Sequence, residues 1–181
     1  METVKFARLS ESTQEEAQLV CRNEIEEAKK LPERLLAELK KLENDYLGLQ
    51  VSRLEHSLQS ATRAYHDGRD EEYVVAALLH DLGDKLAPYS HGEFAAAIFK
   101  PFMSERLCWV VAHHPIFQKF YYAHHLGGDR DEREKYRDSP YYQDTVEFCA
   151  KYDESCFDPN YQSLPLEFFE PMVHRIFSQP R

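Results

Sequence analysis

Apolar residues recur every three or four positions along most of the chain, and the strict alternation that marks strands is scarce, so the pattern predicts helices throughout. From Ser12 to about Asn44 the sequence is charged and helix-prone, with Leu35, Leu36, Leu39 and Leu42 at helical spacing. Pro32 is expected to split this stretch into two helices. From Tyr46 to Tyr65 a clearer helix is predicted by the stripe Leu47, Val51, Leu54, Leu58, Ala61 and Tyr65. At about 100° per residue, His56 lies roughly 160–200° around that helix from Leu54, on a face shared with Leu49, Ser60 and Arg63. A helix that uses two faces fits a core on one side and a site on the other.

The turn His66-Asp67-Gly68-Arg69 leads into an apolar helix, Glu71–His80, which ends at Asp81-Leu82-Gly83, where glycine permits the turn. Ser90 is placed as the cap of a helix from His91 through Phe99 that Pro101 halts, and Ser104 as the cap of the next, which Pro115 is expected to close. An aromatic stretch, Ile116–Tyr122, opens into a loop beginning at His124 and His125. Ser139-Pro140 is read as a helix start, and that helix carries Val146, Phe148, Cys149, Tyr152 and Asp153. Pro165 precedes a last amphipathic helix. The expected architecture is all-α: an N-terminal helical extension over residues 1–45, packed against a helical domain over 46–181.

Composition adds limits to this picture. A chain of 181 residues is long enough for one domain with a real core. Its 22 Lys+Arg against 32 Asp+Glu give a formal charge of −10, which argues against nucleic-acid or anionic-membrane partners and leaves a small anionic substrate in a locally basic pocket open. Cys21, Cys108, Cys149 and Cys156 form no CxxC pair, so free thiols in a reducing compartment are expected. The first residues hold no signal-like apolar run and no stretch is long enough to span a bilayer, which predicts a cytoplasmic protein.

The chemistry concentrates around His80-Asp81. An imidazole beside a carboxylate can place two ligands on one cation, and a carboxylate can bridge two. His56 lies 24 positions before His80, His91 ten after Asp81, His114 follows in VAHHP, and Asp153 in KYDES. Each falls on a predicted helix or at or near the end of one. The run EHS…LLHDLG…H-x-E-x-A…H…D resembles the metal-dependent HD superfamily in its six-ligand, two-metal version, over roughly Tyr46 to Asp158. That resemblance implies a helical bundle in which His56, His80, His114 and Asp153 are terminal ligands, Asp81 bridges, and His91 serves the second metal. Spacing alone leaves His113 and His114 as alternatives. The following Pro115-Ile116-Phe117-Gln118-Lys119 is similar to what family members carry after their ligand and favours His114. Four imidazoles with two carboxylates suit iron, manganese or zinc. His66 and His174 are expected to be solvated or packed, while His124 and His125 sit in a candidate lid.

Within the superfamily, YLGLQVSRLEHSLQSA looks like the entry helix of the mixed-valent di-iron oxygenases that cleave hydroxylated aminophosphonates. There a tyrosine ten residues before the first histidine occupies an open iron position until substrate displaces it, and Tyr46 stands at that offset. KYDESCFDP is similar to the aspartate segments of that family and of myo-inositol oxygenase, whose last helix LPLEFFEPMVHRIF also resembles. The resemblance implies two irons (Fe2+/Fe3+), O2 as co-substrate, and Tyr46 and Asp81 as catalytic residues. Two positions depart from it. Leu49 replaces the glutamate suited to a substrate ammonium. Asp84, followed by Lys85, replaces a histidine (a lysine in the inositol enzyme), and would repel a phosphonate unless Lys85 or Lys119 faces inward. Asp84, Lys85, Gln118 and Lys119 are thus the candidate substrate contacts, and the expected substrate is a small polar molecule with a metal-chelating hydroxyl. The alternative is a manganese- or zinc-dependent phosphohydrolase of a nucleotide or other phosphate ester. Arg53 and Arg63, on the helix of His56, keep it open, although no Arg/Lys cluster flanks the ligands. A third reading is a metal-binding module without turnover. Phe117, Phe120, Tyr121 and Tyr122 serve either the core or the pocket walls.

Overall fold

A computed structural model describes residues 2–181. Among them are eight α-helices, α1 (Gln14–Ala28), α2 (Leu31–Lys40), α3 (Arg53–His66), α4 (Glu71–Leu79), α5 (His91–Phe99), α6 (Glu105–Tyr122), α7 (Tyr142–Tyr152) and α8 (Leu166–Phe177), and no strand. None of the described helices is long and apolar enough to cross a membrane. The all-α expectation holds.

α4 is the centre of the bundle. Asp70 caps it by accepting from Tyr73 N at 2.8 Å, and every residue from Tyr73 to Leu79 is buried. A helix apolar on all sides needs cover on all sides, and α3, α6 and α8 supply it. Pro32 sits in the first turn of α2, where its missing N–H breaks no helical bond, so it starts the helix instead of interrupting one. Leu35, Leu36, Leu39 and Leu42 then join the main core, whereas α1 buries none of its residues.

Three helix boundaries and one cap differ from the sequence pattern. α3 begins at Arg53, not Tyr46, because Ser52 caps it through Glu55 N at 3.1 Å and the preceding turn puts Leu47 at φ 45° and Gly48 at φ 87°. Leu47 therefore leaves the stripe and is 69% exposed. Ser90 makes no side-chain cap bond to α5. α7 starts two residues after Pro140, with Ser139 Oγ accepting from Tyr141 N in the turn before it. Most consequentially, α6 runs through Pro115 to Tyr122. The Val111 carbonyl that proline cannot bond is taken by His114 Nδ1 at 2.7 Å, so no buried acceptor is stranded.

The polar face of α3 is buried more deeply than its leucine stripe. His56, Ser57, Gln59, Ser60 and Thr62 are buried, while Leu54 and Leu58 are partly so. This face holds the chain beyond α7. Gln59 donates to Asp158 O at 2.7 Å and accepts from Asp158 N at 3.3 Å, Ser60 donates to Tyr152 O, Arg63 to Ser155 O at 3.1 Å, and Thr62 accepts from Leu164 N at 3.0 Å.

Two glycines are required by close approach. A Cβ on Gly83 would lie 2.9 Å from His91 O, and one on Gly92 would lie 2.7 Å from Val111 O and 2.9 Å from Ala112 O. Gly83 thus admits the start of α5, and Gly92 lets α5 lie against α6. Because both obstacles to Gly92 are backbone, Gly92→Ala should force the helices apart and cost about 1–3 kcal/mol, read as an earlier urea midpoint for the metal-free chain.

Candidate metal centre

Six side chains from five helices and their ends converge beside α4. His56 lies in the first turn of α3, His80 ends α4, Asp81 follows it, His91 opens α5, His114 projects from α6, and Asp153 ends α7. His56, His80, His114 and Asp153 are all buried. His114, not His113, faces the group: His113 stacks on Trp109 at 3.9 Å and turns its Nδ1 to Trp109 O.

Backbone carbonyls set the imidazoles. His56 Nδ1 lies 3.0 Å from Cys156 O, His80 Nδ1 2.8 Å from Ala77 O, and His114 Nδ1 2.7 Å from Val111 O. A carbonyl only accepts, so each Nδ1 carries the hydrogen and each neutral ring presents a lone pair at Nε2. These lone pairs point at one another: His56 Nε2 is 3.2 Å from His80 Nε2, and His91 Nε2 is 3.3 Å from His114 Nε2. Two acceptors at that distance repel unless a cation or a proton lies between them.

The carboxylates complete two sets of donors. Asp81 Oδ2 is 3.4 Å from His56 Nε2 and 3.3 Å from His80 Nε2, and its Oδ1 is 3.4 Å from His91 Nε2 and 3.1 Å from His114 Nε2. Asp153 Oδ1 lies 3.5 Å from His56 Nε2 and accepts from Gln118 at 2.6 Å. Its Oδ2 is buried with no hydrogen-bond partner. Ligands bound at about 2.1 Å stand about 3.0 Å apart in an octahedron and about 3.4 Å apart in a tetrahedron. The spacing of the donors, their facing lone pairs and the orphaned carboxylate oxygen all fit a pair of cations with Asp81 between them.

Titration fits the same account. Burial opposes a charge on His80, but the adjoining Asp81 carboxylate, aided by Asp153, overrides it and raises the imidazole to about 9. Burial lowers His91 to about 4 against the pull of Asp81. Burial also raises Asp153, while Asp81, despite its burial, is held well below the usual carboxylate range, first of all by the charge on His80. The metal-free centre therefore keeps a proton that a cation has to displace.

A cavity of about 160 Å³ opens onto the centre, lined by Leu47, Leu49, Arg53, His56, Asp81, Asp84, His91, Gln118 and Phe157. Of the candidate substrate contacts, Gln118 and Asp84 reach it. Both oxygens of Asp84 are engaged, Oδ1 3.3 Å from His91 Nδ1 and Oδ2 3.2 Å from Arg53 Nε, so it orients a histidine as a carbonyl orients the other three. Burial and the nearby Asp81 charge raise Asp84 to about 6. Lys85 turns outward to Asp45 at 3.2 Å and Lys119 to Glu132 at 2.7 Å, and neither lines the cavity. Tyr46 is half-exposed and outside the lining, between the core-facing Leu42 and the cavity-lining Leu47. His124 and His125 lie against each other, their rings tilted by 41°, in the turn Ala123–Leu126 and outside the cavity lining.

Core and pocket wall are the two roles open to the aromatic residues of Ile116–Tyr122, and none of them lines the cavity. Phe117 packs in the core against Trp109 and Tyr142, Phe120 carries Arg130 and Arg133 on its face, and Tyr121 and Tyr122 also lie outside the lining. Phe157 takes the place, stacked on His56 at 4.5 Å. The only signal for it in the sequence was its position beyond Asp153 in KYDESCFDP.

The family model for the HD domain matches residues 53–143, half of the chain, and spans every residue of the cluster except Asp153. A stretch of 41 residues is 51% identical to the (1-hydroxy-2-(trimethylamino)ethyl)phosphonate dioxygenase (glycine-betaine-forming) of Leisingera caerulea. This match covers 23% of the chain and 21% of that relative, about a fifth of its length.

Two outcomes are expected. Metal uptake near pH 7 should release protons and tighten as pH rises until His80 titrates at about 9, because below that value the cation competes with the His80 proton; calorimetry in buffers of different ionisation enthalpy measures it. Asp84→Asn should weaken one of two bound metals by about 10- to 100-fold, whereas His113→Ala leaves the metal content at two per chain.

Proposed function

This chain belongs to the HD domain family and is a metal-dependent enzyme of it, and we propose that it is a di-iron oxygenase that cleaves a small hydroxylated substrate with O2. The observation that carries this reading is the bridged arrangement about Asp81, with two imidazoles at each of its oxygens. The phosphonate dioxygenase that matches part of the chain supports an oxygenase over the other chemistries such a centre serves.

In this reading His56, His80 and Asp153 would hold one iron and His91 and His114 the other, with Asp81 as the residue that would serve both. A ferrous–ferric pair supplies the one-electron chemistry that O2 requires and the Lewis acidity to bind a substrate hydroxyl. The chain's own groups do the rest. Gln118 fixes the Asp153 carboxylate by its amide, and Asp84 fixes the ring of His91. Phe157 covers the His56 ring, and with Leu47 and Leu49 it keeps water from the substrate. Tyr46, ten residues before His56, is the group proposed to guard the open iron position. Since Tyr46 lies outside the lining, that role calls for an inward movement of the turn that holds Leu47 and Gly48 in the left-handed region.

Arg53 in the cavity lining favours one other reading, hydrolysis of a phosphate ester with manganese or zinc. Iron loading under anaerobic conditions separates the two. Two irons per chain and, after partial oxidation, a coupled mixed-valent paramagnetic signal that changes on adding a hydroxylated phosphonate are expected. A chain that retains no iron and releases phosphate from nucleotides with manganese is a hydrolase. Tyr46→Phe should alter the iron spectrum, and an unchanged spectrum with unchanged oxygen uptake removes Tyr46 from the site.

A further inference from the structure

One cavity-lining side chain is used neither by the metal donors nor by the core. Arg53 opens α3, and its side chain is 18% exposed beside Asp81, Asp84 and His91. Two carboxylates anchor it, Asp84 at Nε (3.2 Å) and Asp45 at Nη1 (3.5 Å). Its side chain makes no hydrogen bond among the described residues, so a guanidinium with five donors keeps part of its fork unspent. No lysine and no other arginine lines the cavity. Apart from Gln118, the remaining wall, Leu47, Leu49 and Phe157, is apolar.

We infer that Arg53 reads an oxyanion, so that the substrate is a small hydroxylated phosphonate or carboxylate, its hydroxyl toward the metals and its anionic end toward the guanidinium. This rests on the reading of the cavity as the substrate site of a two-metal centre. Three physical points carry it. A planar guanidinium forks onto two oxygens of one anion, which a lysine cannot do. The two carboxylates hold Arg53 in place, so little side-chain freedom is lost when an anion arrives. Metal loading leaves the lined volume cationic, because two divalent ions and Arg53 outweigh Asp81, Asp84 and Asp153. Asp84 also ties the same guanidinium to His91, so the group that senses the anion is braced on a histidine of the centre.

The test is binding without turnover, on full-length chain loaded anaerobically with iron, or with manganese where iron is not retained. Calorimetry with hydroxymethylphosphonate, glycolate and ethylene glycol compares a tetrahedral oxyanion, a planar one and no anion on the same hydroxyl. The intact protein is expected to bind one or both anions at least about 10-fold tighter than the diol. Arg53→Met should lower that affinity by about 10- to 100-fold with metal content and diol binding unchanged, and Arg53→Lys should recover part of it. Equal affinity of the intact protein for anion and diol, or of Arg53→Met and the intact protein for the anion, overturns the inference. Should Arg53→Met lose its metals, Arg53→Lys decides, because it keeps a cation between Asp45 and Asp84: unchanged anion affinity then overturns it. Oxygen uptake distinguishes the two readings. Anion binding through Arg53 without any oxygen consumption sinks the oxygenase alone. Oxygen consumption with the anions that Arg53→Met leaves unchanged at sub-saturating concentration sinks the role of Arg53 alone.

Discussion

Every feature of the site depends on the hydrogen bonds that fix Nδ1 of its histidines. Three end on backbone carbonyls, at Cys156, Ala77 and Val111, and at the fourth ring an ion-pair contact with the Asp84 carboxylate takes the place of the bond. Together they commit each Nε2 to face another at 3.2–3.3 Å in a buried space. In water such a cluster would rotate apart. Here it cannot, because turning one ring breaks a buried hydrogen bond, which costs about 1–3 kcal/mol for each orphaned partner. The packing thus keeps repelling lone pairs together, and the favourable way to relieve that repulsion is a bound cation. A proton does it in part, and although burial opposes it the Asp81 carboxylate, aided by Asp153, holds one on His80.

The surrounding helices are arranged to make those bonds available. Helix ends leave carbonyls without helical donors, and His80 uses one of them at the end of α4. Pro115 creates a second inside α6 by removing the N–H that Val111 O expects, and His114 fills it. The third lies beyond α7, in a segment with no regular structure of its own, and there α3 does the positioning. Its row of polar side chains, the buried Gln59, Ser60 and Thr62 with the half-buried Arg63, grips Tyr152 to Leu164 and so brings Cys156 O to His56. One face of one helix therefore supplies a donor to the centre and secures the strap that orients it.

The parts legible in the sequence are those that side-chain type and spacing encode. The all-helical class followed from periodicity, and the six-residue cluster from a resemblance carried by EHS, LLHDLG and HGEFA. The backbone partners were not legible, since a carbonyl looks the same at every residue. Pro115 was read as a stop because the rule for proline concerns the lost bond, and the sequence does not say which side chain replaces it. The stripe through Leu47 continued the helix on paper, whereas Gly48 at φ 87° and the Ser52 cap begin it later. The cations were misplaced for a similar reason. Lys85 and Lys119 lie close to the ligands in sequence, but Asp45 and Glu132 draw them outward, and the inward one is Arg53.

The two departures from the phosphonate-cleaving pattern, Leu49 and Asp84, now have distinct meanings. Asp84 does not confront a substrate anion with bare negative charge. Its oxygens are spent on His91 and Arg53, and the guanidinium it anchors returns a positive group to the cavity. Leu49 lies in the lining with Leu47 and Phe157, where a glutamate would have met a substrate ammonium. An apolar wall cannot repay the desolvation of an ammonium group. For the proposed oxygenase, the anionic end of the substrate is therefore provided for and a cationic amine is not, so selectivity among hydroxylated anions falls to the size of the apolar remainder that about 160 Å³ admits.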